Sequence, residues 1–183
     1  MNDKIALILI DQQIGIDHPK LGQRNNPSAE QTMLSLLGTW RSNAWPIVHI
    51  KHRSHEQNSV FWPEQKGFDF KPEFTPSPEE RVIEKSVPCA FTNNNLEKVL
   101  RADGIDTIVV VGAATNNSVE ATARTGGNLN FTVFVVEDAC FTFDKTDFFG
   151  QKRSASEVHA MSLASLHDEY ATVVNSGELF NYL

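Results

Sequence analysis

The chain has 183 residues, of which 40% are hydrophobic and 21% charged, and its formal net charge is −7. This size and composition predict one globular domain, residues 1–183, with a full hydrophobic core. An acidic chain without a Lys/Arg cluster is not expected to bind nucleic acid. No run approaches the ~20 apolar residues of a membrane helix and none resembles a signal peptide, so we expect a cytoplasmic protein without a membrane partner.

Strand and helix patterns alternate along the sequence. Short apolar or β-branched runs predict strands, and apolar residues at helical spacing predict helices. In chain order, we expect a strand at Ile5–Ile10, a helix at Ala29–Asn43, strands at Pro46–Ile50 and Arg81–Lys85, a helix at Asn94–Ala102, a strand at Thr107–Val111, a helix at Asn116–Gly126, a strand at Thr132–Val136, a helix at Ala155–Leu166 and a strand at Ala171–Val174.

This alternation predicts an α/β fold with a six-stranded parallel sheet. Strands joined by helices form right-handed crossovers, which cover both faces of such a sheet with helices. The segment His52–Pro78 is long, aromatic and punctuated by proline. Loops of that length in compact domains are usually functional or lid-like, and we expect the same of this one.

Three polar residues come directly after predicted strands. Asp11 follows the first strand, Lys85 ends the third, and Ser118 lies in or near the first turn of the helix after the fourth. Ligands of open parallel sheets bind beyond the carboxyl ends of the strands, often against helix N-termini. A carboxylate, an ammonium and a hydroxyl there could serve as base, electrostatic stabiliser and nucleophile. Taken singly, Asp11 could be a turn residue, Lys85 a solvated side chain and Ser118 a helix cap.

Five segments of the chain resemble the isochorismatase-like, or cysteine hydrolase, superfamily. They are ALILIDQQIGI, VIEKSVPCAF, VVVGAATNNSVEATARTGGNLNF, FVVEDACFTFD and SASEVHAMSLASLHDEYATVV. The resemblance covers essentially the whole chain and implies a Rossmann-like three-layer α/β/α sandwich with a six-stranded parallel sheet. Members of the superfamily usually carry an Asp–Lys–Cys triad. The Asp matches Asp11 and the Lys matches Lys85, whereas the Cys position is occupied by Ser118.

The resemblance also implies a non-proline cis peptide bond between Ala113 and Ala114. That bond would orient the backbone N–H groups of Ala114 and Ser118 as an oxyanion hole. From the residues alone, the same dipeptide would be interpreted as an ordinary turn. Superfamily members are commonly homodimers or homotetramers, and the His52–Pro78 loop could close a neighbour's pocket.

The serine changes the expected chemistry. A serine hydroxyl is several pKa units less acidic than a thiol, and each unit is worth about 1.4 kcal/mol. An Asp–Ser pair should therefore make a poor nucleophile system. Isochorismatases avoid the problem, because they cleave a vinyl ether with the Asp as proton donor and use no cysteine. We therefore expect a hydrolase of a small amide, carbonyl or enol-ether compound, with Ser118 as either nucleophile or polar lining. The alternative is an inactive relative that retains a binding pocket.

Further residues are candidates for contact with a small-molecule substrate. We expect Gln13 to hold the loop of the acid, and Asn117 to face the pocket or cap the helix. Aromatic side chains are predicted to form pocket walls, although each could instead pack in the core. These candidates are Trp62, Phe91, Phe141 and Phe143.

No metal or cofactor is predicted. His49, His52 and His55 are close in sequence, but the metal-binding pattern of the nicotinamidase branch is not reproduced around them. Cys89 and Cys140 form neither a disulfide framework nor a metal spacing. The chain lacks both the G-x-G-x-x-G and the G-x-x-x-x-G-K-[ST] motifs, so a nucleotide cofactor is not supported.

Overall fold

The centre of the protein is a sheet of six parallel strands. The computed structural model describes residues 5–183, so the first four residues of the predicted domain lie outside it. Two short strands, β6 and β7, form a separate antiparallel ribbon. In chain order the strands are β1 (Ile5–Ile10), β2 (Ile47–His52), β3 (Arg81–Lys85), β4 (Thr107–Ala113), β5 (Thr132–Phe141), β6 (Lys145–Thr146), β7 (Lys152–Arg153) and β8 (Thr172–Val174).

The strand order of the large sheet is β3-β2-β1-β4-β5-β8, and all its neighbouring pairs are parallel. The chain winds outward in one direction from β1 to β3 and in the other direction from β4 to β8. The order therefore reverses between β1 and β4, and open sheets of this kind bind ligands at that point. Asp11 and Ser118 follow these two central strands.

Within residues 5–183, four α-helices cover the two faces of the sheet. They are α1 (Ala29–Ser42), α2 (Leu96–Ala102), α3 (Glu120–Asn128) and α4 (Ala155–Leu166). Leu7 and Leu9 of β1 pack in the same core as α1, whereas Ala6 and Ile8 pack in the core shared by the other three helices. Alternate residues of a strand face opposite sides, so β1 is buried throughout. The predicted three-layer α/β/α sandwich is confirmed.

Some element boundaries differ from the predicted ones. β5 continues five residues beyond Val136, because the strand pairs again with the end of β4 after a register shift. The helix predicted from Asn116 starts as a single π-helical turn, and α3 begins only at Glu120. The ribbon of β6 and β7 was not predicted, since two-residue strands carry no periodic signal. Among residues 5–183, no helix is both long and apolar enough to cross a membrane.

Candidate active site

Lys85 joins the polar residues at the carboxyl ends of the strands. Its Nζ donates to Asp11 Oδ2 at 2.8 Å and to Ser118 Oγ at 3.1 Å, and it lies 3.1 Å from His52 Nδ1. The Lys85 side chain is fully buried. An ammonium has three N–H groups and no lone pair, so these three contacts use its whole hydrogen-bonding capacity.

Asp11 is held at the edge of the sheet by its backbone and by Lys85. Its N–H donates to Ile50 O at 3.0 Å, and its φ of +56° turns the chain sharply out of β1. Lys85 occupies Oδ2, whereas Oδ1 is buried and has no hydrogen-bond partner within residues 5–183. Buried polar atoms in native proteins are nearly always satisfied by protein, water or a ligand. Oδ1 is therefore the unpaired oxygen of this carboxylate within residues 5–183.

His52 ends β2, between the strands that carry Asp11 and Lys85. Burial, reinforced by the nearby charge of Lys85, lowers the pKa of the imidazole below its usual 6.5. The ring is therefore neutral at pH 7, and its Nδ1 accepts from the Lys85 ammonium, which assigns the ring proton to Nε2. Phe61 packs against the imidazole with ring centroids 5.5 Å apart.

Ser118 lies in the π-turn, which comprises residues Thr115–Val119. The turn is closed by a hydrogen bond from Val119 N–H to Ala114 O at 3.2 Å, and the peptide bond between Ala113 and Ala114 is cis. Lys85 is the hydrogen-bond partner of Ser118 Oγ among the described residues. Cys140 offers no substitute thiolate, because complete burial raises its pKa to about 12.

Helix α4 supports the π-turn from behind. The Thr115 hydroxyl lies 2.8 Å from His159 Nδ1, and Ser162 Oγ donates to Thr115 O at 3.1 Å. Ser162 Oγ also lies 2.6 Å from Glu120 Oε2, at the start of α3. Burial lowers the pKa of His159, so this contact is made by a neutral ring. The position of Ser118 therefore depends on residues more than forty positions further along the chain.

A cavity of about 430 Å³ opens above these groups. Its size lies within the range of small-molecule sites, which are mostly apolar with a few polar groups. The lining contains both apolar and polar side chains. The lining residues are Asp11, Ile16, Leu21, His52, Phe61, Ala114, Asn116, Asn117, Ser118, Thr142, Phe143, Asp144 and Lys145.

The structure brings Asp11, Lys85 and Ser118 together and sets Ala114 and Asn117 in the cavity wall. Gln13 instead lies fully buried beneath the site. Its amide accepts from His52 N–H at 2.7 Å and donates to His52 O and Phe68 O. Gln13 thus ties the end of β2 to Phe68 and does not line the cavity, so it is not placed to contact a substrate there.

Three predicted wall residues lie away from the cavity lining, and each has a physical reason. Trp62 follows Phe61 in a tight turn, and Phe61 is the residue that enters the wall. Phe91 packs under α3 and stacks on Phe131, with ring centroids 5.7 Å apart. Phe141 is fully buried because β5 extends to this residue, and the guanidinium of Arg24 covers its ring at 3.6 Å. Phe143, two residues later, reaches the cavity.

Several lining residues were not predicted from the sequence. From the sequence, His52 is named only as a possible metal ligand, although its place at the end of a strand is a signal for this site. Asn116 and Thr142 line the cavity and hydrogen-bond to each other through their side chains. Nothing in the local sequence marks them, because their pairing joins segments 26 residues apart. Within residues 5–183, no group of three or more His, Cys, Asp or Glu residues is arranged to hold a metal ion.

The fold and the site together define a class of protein. It is an α/β protein with a buried carboxylate, ammonium and hydroxyl at the point where the strand order of its parallel sheet reverses. The family model described as Isochorismatase domain matches residues 5–178. The uncharacterised isochorismatase family protein YrdC of Bacillus subtilis (strain 168) is 38% identical over 181 residues, which are 99% of this chain and 97% of YrdC. The chain therefore belongs to the isochorismatase family of hydrolases.

Two further relatives are informative. A crystal structure of an isochorismatase-family protein from Chromobacterium violaceum ATCC 12472 superposes with a TM-score of 0.94 at 51% identity, covering 98% of this chain and 93% of that one. Ureidoacrylate amidohydrolase RutB of Caulobacter vibrioides is 35% identical over 100 residues, which are 55% of this chain and 44% of RutB. The first similarity extends over the whole fold, and the second is limited to about half of it.

Proposed function

We propose that this chain hydrolyses a small amide or enol-ether compound, with Asp11 as the proton-transfer group and water as the nucleophile. The observation that carries the proposal is that the two oxygens of the Asp11 carboxylate have different surroundings. Lys85 holds Oδ2 at 2.8 Å, and Oδ1 has no partner within residues 5–183. A general acid or base must come within hydrogen-bond reach of the proton that it moves, and Oδ1 is the carboxylate oxygen left free for such a contact.

The hydrogen bonds around Ser118 argue against a serine nucleophile. A serine attacks after it gives its proton to a base. Its neighbour Lys85 donates all three N–H groups, so it provides no lone pair to receive that proton. No hydrogen bond joins Ser118 Oγ to Asp11 in the described part of the chain. Ser118 is therefore assigned as a polar wall that orients the water or the substrate.

Amide hydrolysis would proceed by addition of water to the carbonyl carbon. Asp11 Oδ1 accepts a proton from that water and returns it to the leaving nitrogen as the C–N bond breaks, giving an acid and an amine. The N–H groups of Ala114 and Ser118 are proposed to donate to the developing oxyanion. The amidohydrolase activity named for RutB, which resembles about half of this chain, supports this substrate class.

Enol-ether hydrolysis would use the same residues, but Asp11 would donate a proton before water adds rather than accept one from the water first. Protonated Asp11 donates from Oδ1 to the terminal alkene carbon, and water adds to the resulting oxocarbenium carbon. The hemiketal then releases an alcohol and leaves a ketone, and the proton lost by the water restores Asp11. The apolar walls formed by Ile16, Phe61 and Phe143 would exclude bulk water from the charged intermediate.

The first prediction separates a hydrolase from a protein that only binds. Purified wild-type chain, tested with small amides and isochorismate, is expected to turn over at least one member of the panel. Asp11→Asn removes the proton-transfer group and should lower kcat/KM for it by about 10²-fold to 10⁴-fold, the usual contribution of general acid–base catalysis. Asp168→Asn, at a position whose side chain is 89% exposed, is the matched control and should retain most of the activity. Binding without turnover by the wild type, or equal rates for wild type and Asp11→Asn, would contradict the proposal.

A further inference from the structure

The imidazole of His52 is held in place by contacts on three sides. The backbone of His52 is fixed by Gln13, which accepts from its N–H at 2.7 Å and donates to its carbonyl oxygen at 3.0 Å. Ring Nδ1 lies 3.1 Å from Lys85 Nζ, and Phe61 packs against one face of the ring. A side chain that is already ordered loses little conformational entropy when it binds a ligand, so His52 is preorganised for such a contact.

The second ring nitrogen, Nε2, is open to the cavity. Because Lys85 donates to Nδ1, the neutral ring carries its proton on Nε2. Within residues 5–183, Nε2 has no hydrogen-bond partner, yet it is not one of the polar atoms that are sealed in the core without a partner. His52 lines the cavity above Asp11. The ring therefore offers this cavity a hydrogen-bond donor and no acceptor.

The hydrogen bond from Lys85 strengthens that donor. The ammonium draws electron density from Nδ1, and hydrogen bonds in a chain polarise one another. Nζ, the imidazole and a ligand at Nε2 would form such a chain, with each member donating to the next. The Nε2–H group is therefore suited to an oxygen that accepts strongly, such as the oxygen of a carbonyl or a carboxylate.

The order of the strands places His52 on one side of Asp11 and the π-turn on the other. His52 ends β2, Asp11 follows β1, and Ala114 follows β4, and these three strands are neighbours in the order β2-β1-β4. Neighbouring strands lie about 4.8 Å apart. A small ligand centred over Asp11 can therefore reach His52 with one end and the π-turn with the other.

The proposed hydrolysis assigns a chemical group to each end. The oxyanion is proposed to form at the N–H groups of Ala114 and Ser118, on the β4 side, and the leaving atom receives its proton from Asp11. The remainder of the leaving group then extends towards β2 and His52. A donor that is buried by a ligand and left without a partner costs about 1–3 kcal/mol. The leaving group should therefore supply an acceptor at this point.

We propose that His52 Nε2–H binds an oxygen acceptor in the leaving group of the substrate. The assignment rests on the proposed hydrolysis and narrows its substrate class. The substrates would be amides or enol ethers whose leaving group carries a carbonyl or carboxylate oxygen close to the bond that breaks. His52 is then a substrate-binding residue that selects the leaving group, and it moves no proton in the reaction.

Matched pairs of amides that differ only in the leaving group test this assignment. N-acetylglycine is paired with N-propylacetamide, and N-carbamoylglycine with N-propylurea, so that each acid has a partner without the oxygens. For the wild type, kcat/KM is expected to be about 10-fold to 100-fold higher for the acid of a pair. His52→Phe should abolish this preference, mainly by raising KM for the acid, because it removes binding shared by ground state and transition state.

Two further variants separate binding from a structural role. His52→Gln retains an N–H donor and should restore most of the preference for the acids. His55, three residues further along, is exposed and does not line the cavity, so His55→Phe is the matched control and should keep the full preference. If His52→Phe lowers the rates for both members of a pair equally, the role is structural and the assignment is overturned. Equal rates for acid and propyl compound in the wild type would overturn it too, while leaving the proposed hydrolysis intact.

Nitrogen-15 NMR of the histidine side chains tests the same contact without turnover. At pH 7, His52 is expected to be protonated on Nε2 and not on Nδ1. N-acetylglycine or N-carbamoylglycine should shift the Nε2 signal, and the propyl compounds should not. This result without any hydrolysis would refute the proposed function and uphold the role of His52 in binding. A proton on Nδ1, or an Nε2 signal that neither acid shifts, would refute that role.

Discussion

At the scale of single residues, the candidate site depends on one buried ammonium. Lys85 lies two strands away from Asp11, and its long side chain spans β2 to reach the carboxylate. Separating a buried ion pair leaves an uncompensated charge, which is strongly unfavourable. The contact therefore holds both side chains in place. The same ammonium donates to Ser118, which makes the hydroxyl an acceptor rather than a group poised to lose its proton.

The sequence allowed the three polar residues at the strand ends to be predicted, because their positions follow from the pattern of strands alone. It did not allow the roles of His52 or Phe91 to be predicted. His52 reaches the site because β2 lies between β1 and β3 in the sheet. The hydrophobic pattern of a sequence does not determine the order of its strands, so this role could not be predicted. Phe91 stacks on Phe131, a contact between segments forty residues apart that no local spacing reveals.

At the scale of elements, the end of β4 is the most constrained part of the site. Gly112 has φ +120° and pairs with Ile10 of β1, just before the cis peptide bond and the π-turn. A Cβ at this glycine would lie 2.3 Å from Ile10 O and 2.8 Å from Ile10 N. Only glycine fits, because both neighbouring atoms belong to the backbone of a central strand and cannot move aside.

The second prediction concerns this glycine and a matched one in α1. Gly112→Ala should lower the free energy of unfolding by more than about 1 kcal/mol, because it adds positive-φ strain to the backbone clash. Gly38→Ala should instead raise it by about 0.5–1 kcal/mol, because a Cβ there meets no atom within 4 Å and alanine favours the helix. Urea denaturation measures both. Equal stabilities of the two variants would contradict the role assigned to Gly112.

The elements themselves were predictable to different degrees. The strand from Ile5 and the helix from Ala29 begin as predicted, because both have a strong periodic pattern. The sequence predicts an α-helix over the π-turn, because nothing in residues Thr115–Val119 distinguishes a π-helical turn from the first turn of an α-helix. The continuation of β5 past Val136 was missed because Glu137 and Asp138 resemble the polar end of a strand.

At the scale of the whole molecule, the parallel sheet was predictable but the order of its strands was not. Alternating strand and helix patterns restrict the connections to right-handed crossovers. They leave open the point at which the chain reverses direction across the sheet. That reversal between β1 and β4 is the feature that gathers Asp11 and Ser118 into one site.

The third prediction concerns the stability of the whole fold, which we expect to fall in acid. His49 is fully buried and contacts Glu80 at 2.8 Å through Nε2, whereas its Nδ1 has no partner within residues 5–183. Burial lowers the pKa of His49 below its usual 6.5. The unfolded chain therefore binds more protons near that pH, so stability is full above pH 6.5 and is lost as the pH falls through the lowered pKa.

Glu80 adds to the loss at lower pH. Burial alone would raise its pKa, but hydrogen bonds from Arg41, from Ser77 N–H and from His49 lower it to about 2. Its contribution is therefore present above its usual value of 4.5 and is lost as the pH falls towards 2.

Thermal melts between pH 7.5 and 5 measure this effect. The Tm of the wild type should fall over that range. In His49→Gln the amide retains a donor to Glu80 but cannot be protonated, so the fall should be smaller. His167→Gln, at a position whose side chain is 48% exposed, is the control and should follow the wild type. A Tm that stays constant down to pH 5 would refute the prediction.

The central claim is that Asp11, not Ser118, carries the reaction, and kcat/KM of Ser118→Ala tests it most directly. Ser118→Ala removes one hydrogen bond to Lys85, which is worth about 1 kcal/mol, so kcat/KM should fall by no more than about tenfold. Loss of a true serine nucleophile costs about 10⁶-fold in kcat. A loss within tenfold is the result predicted here, and a loss of that nucleophile size would contradict the claim.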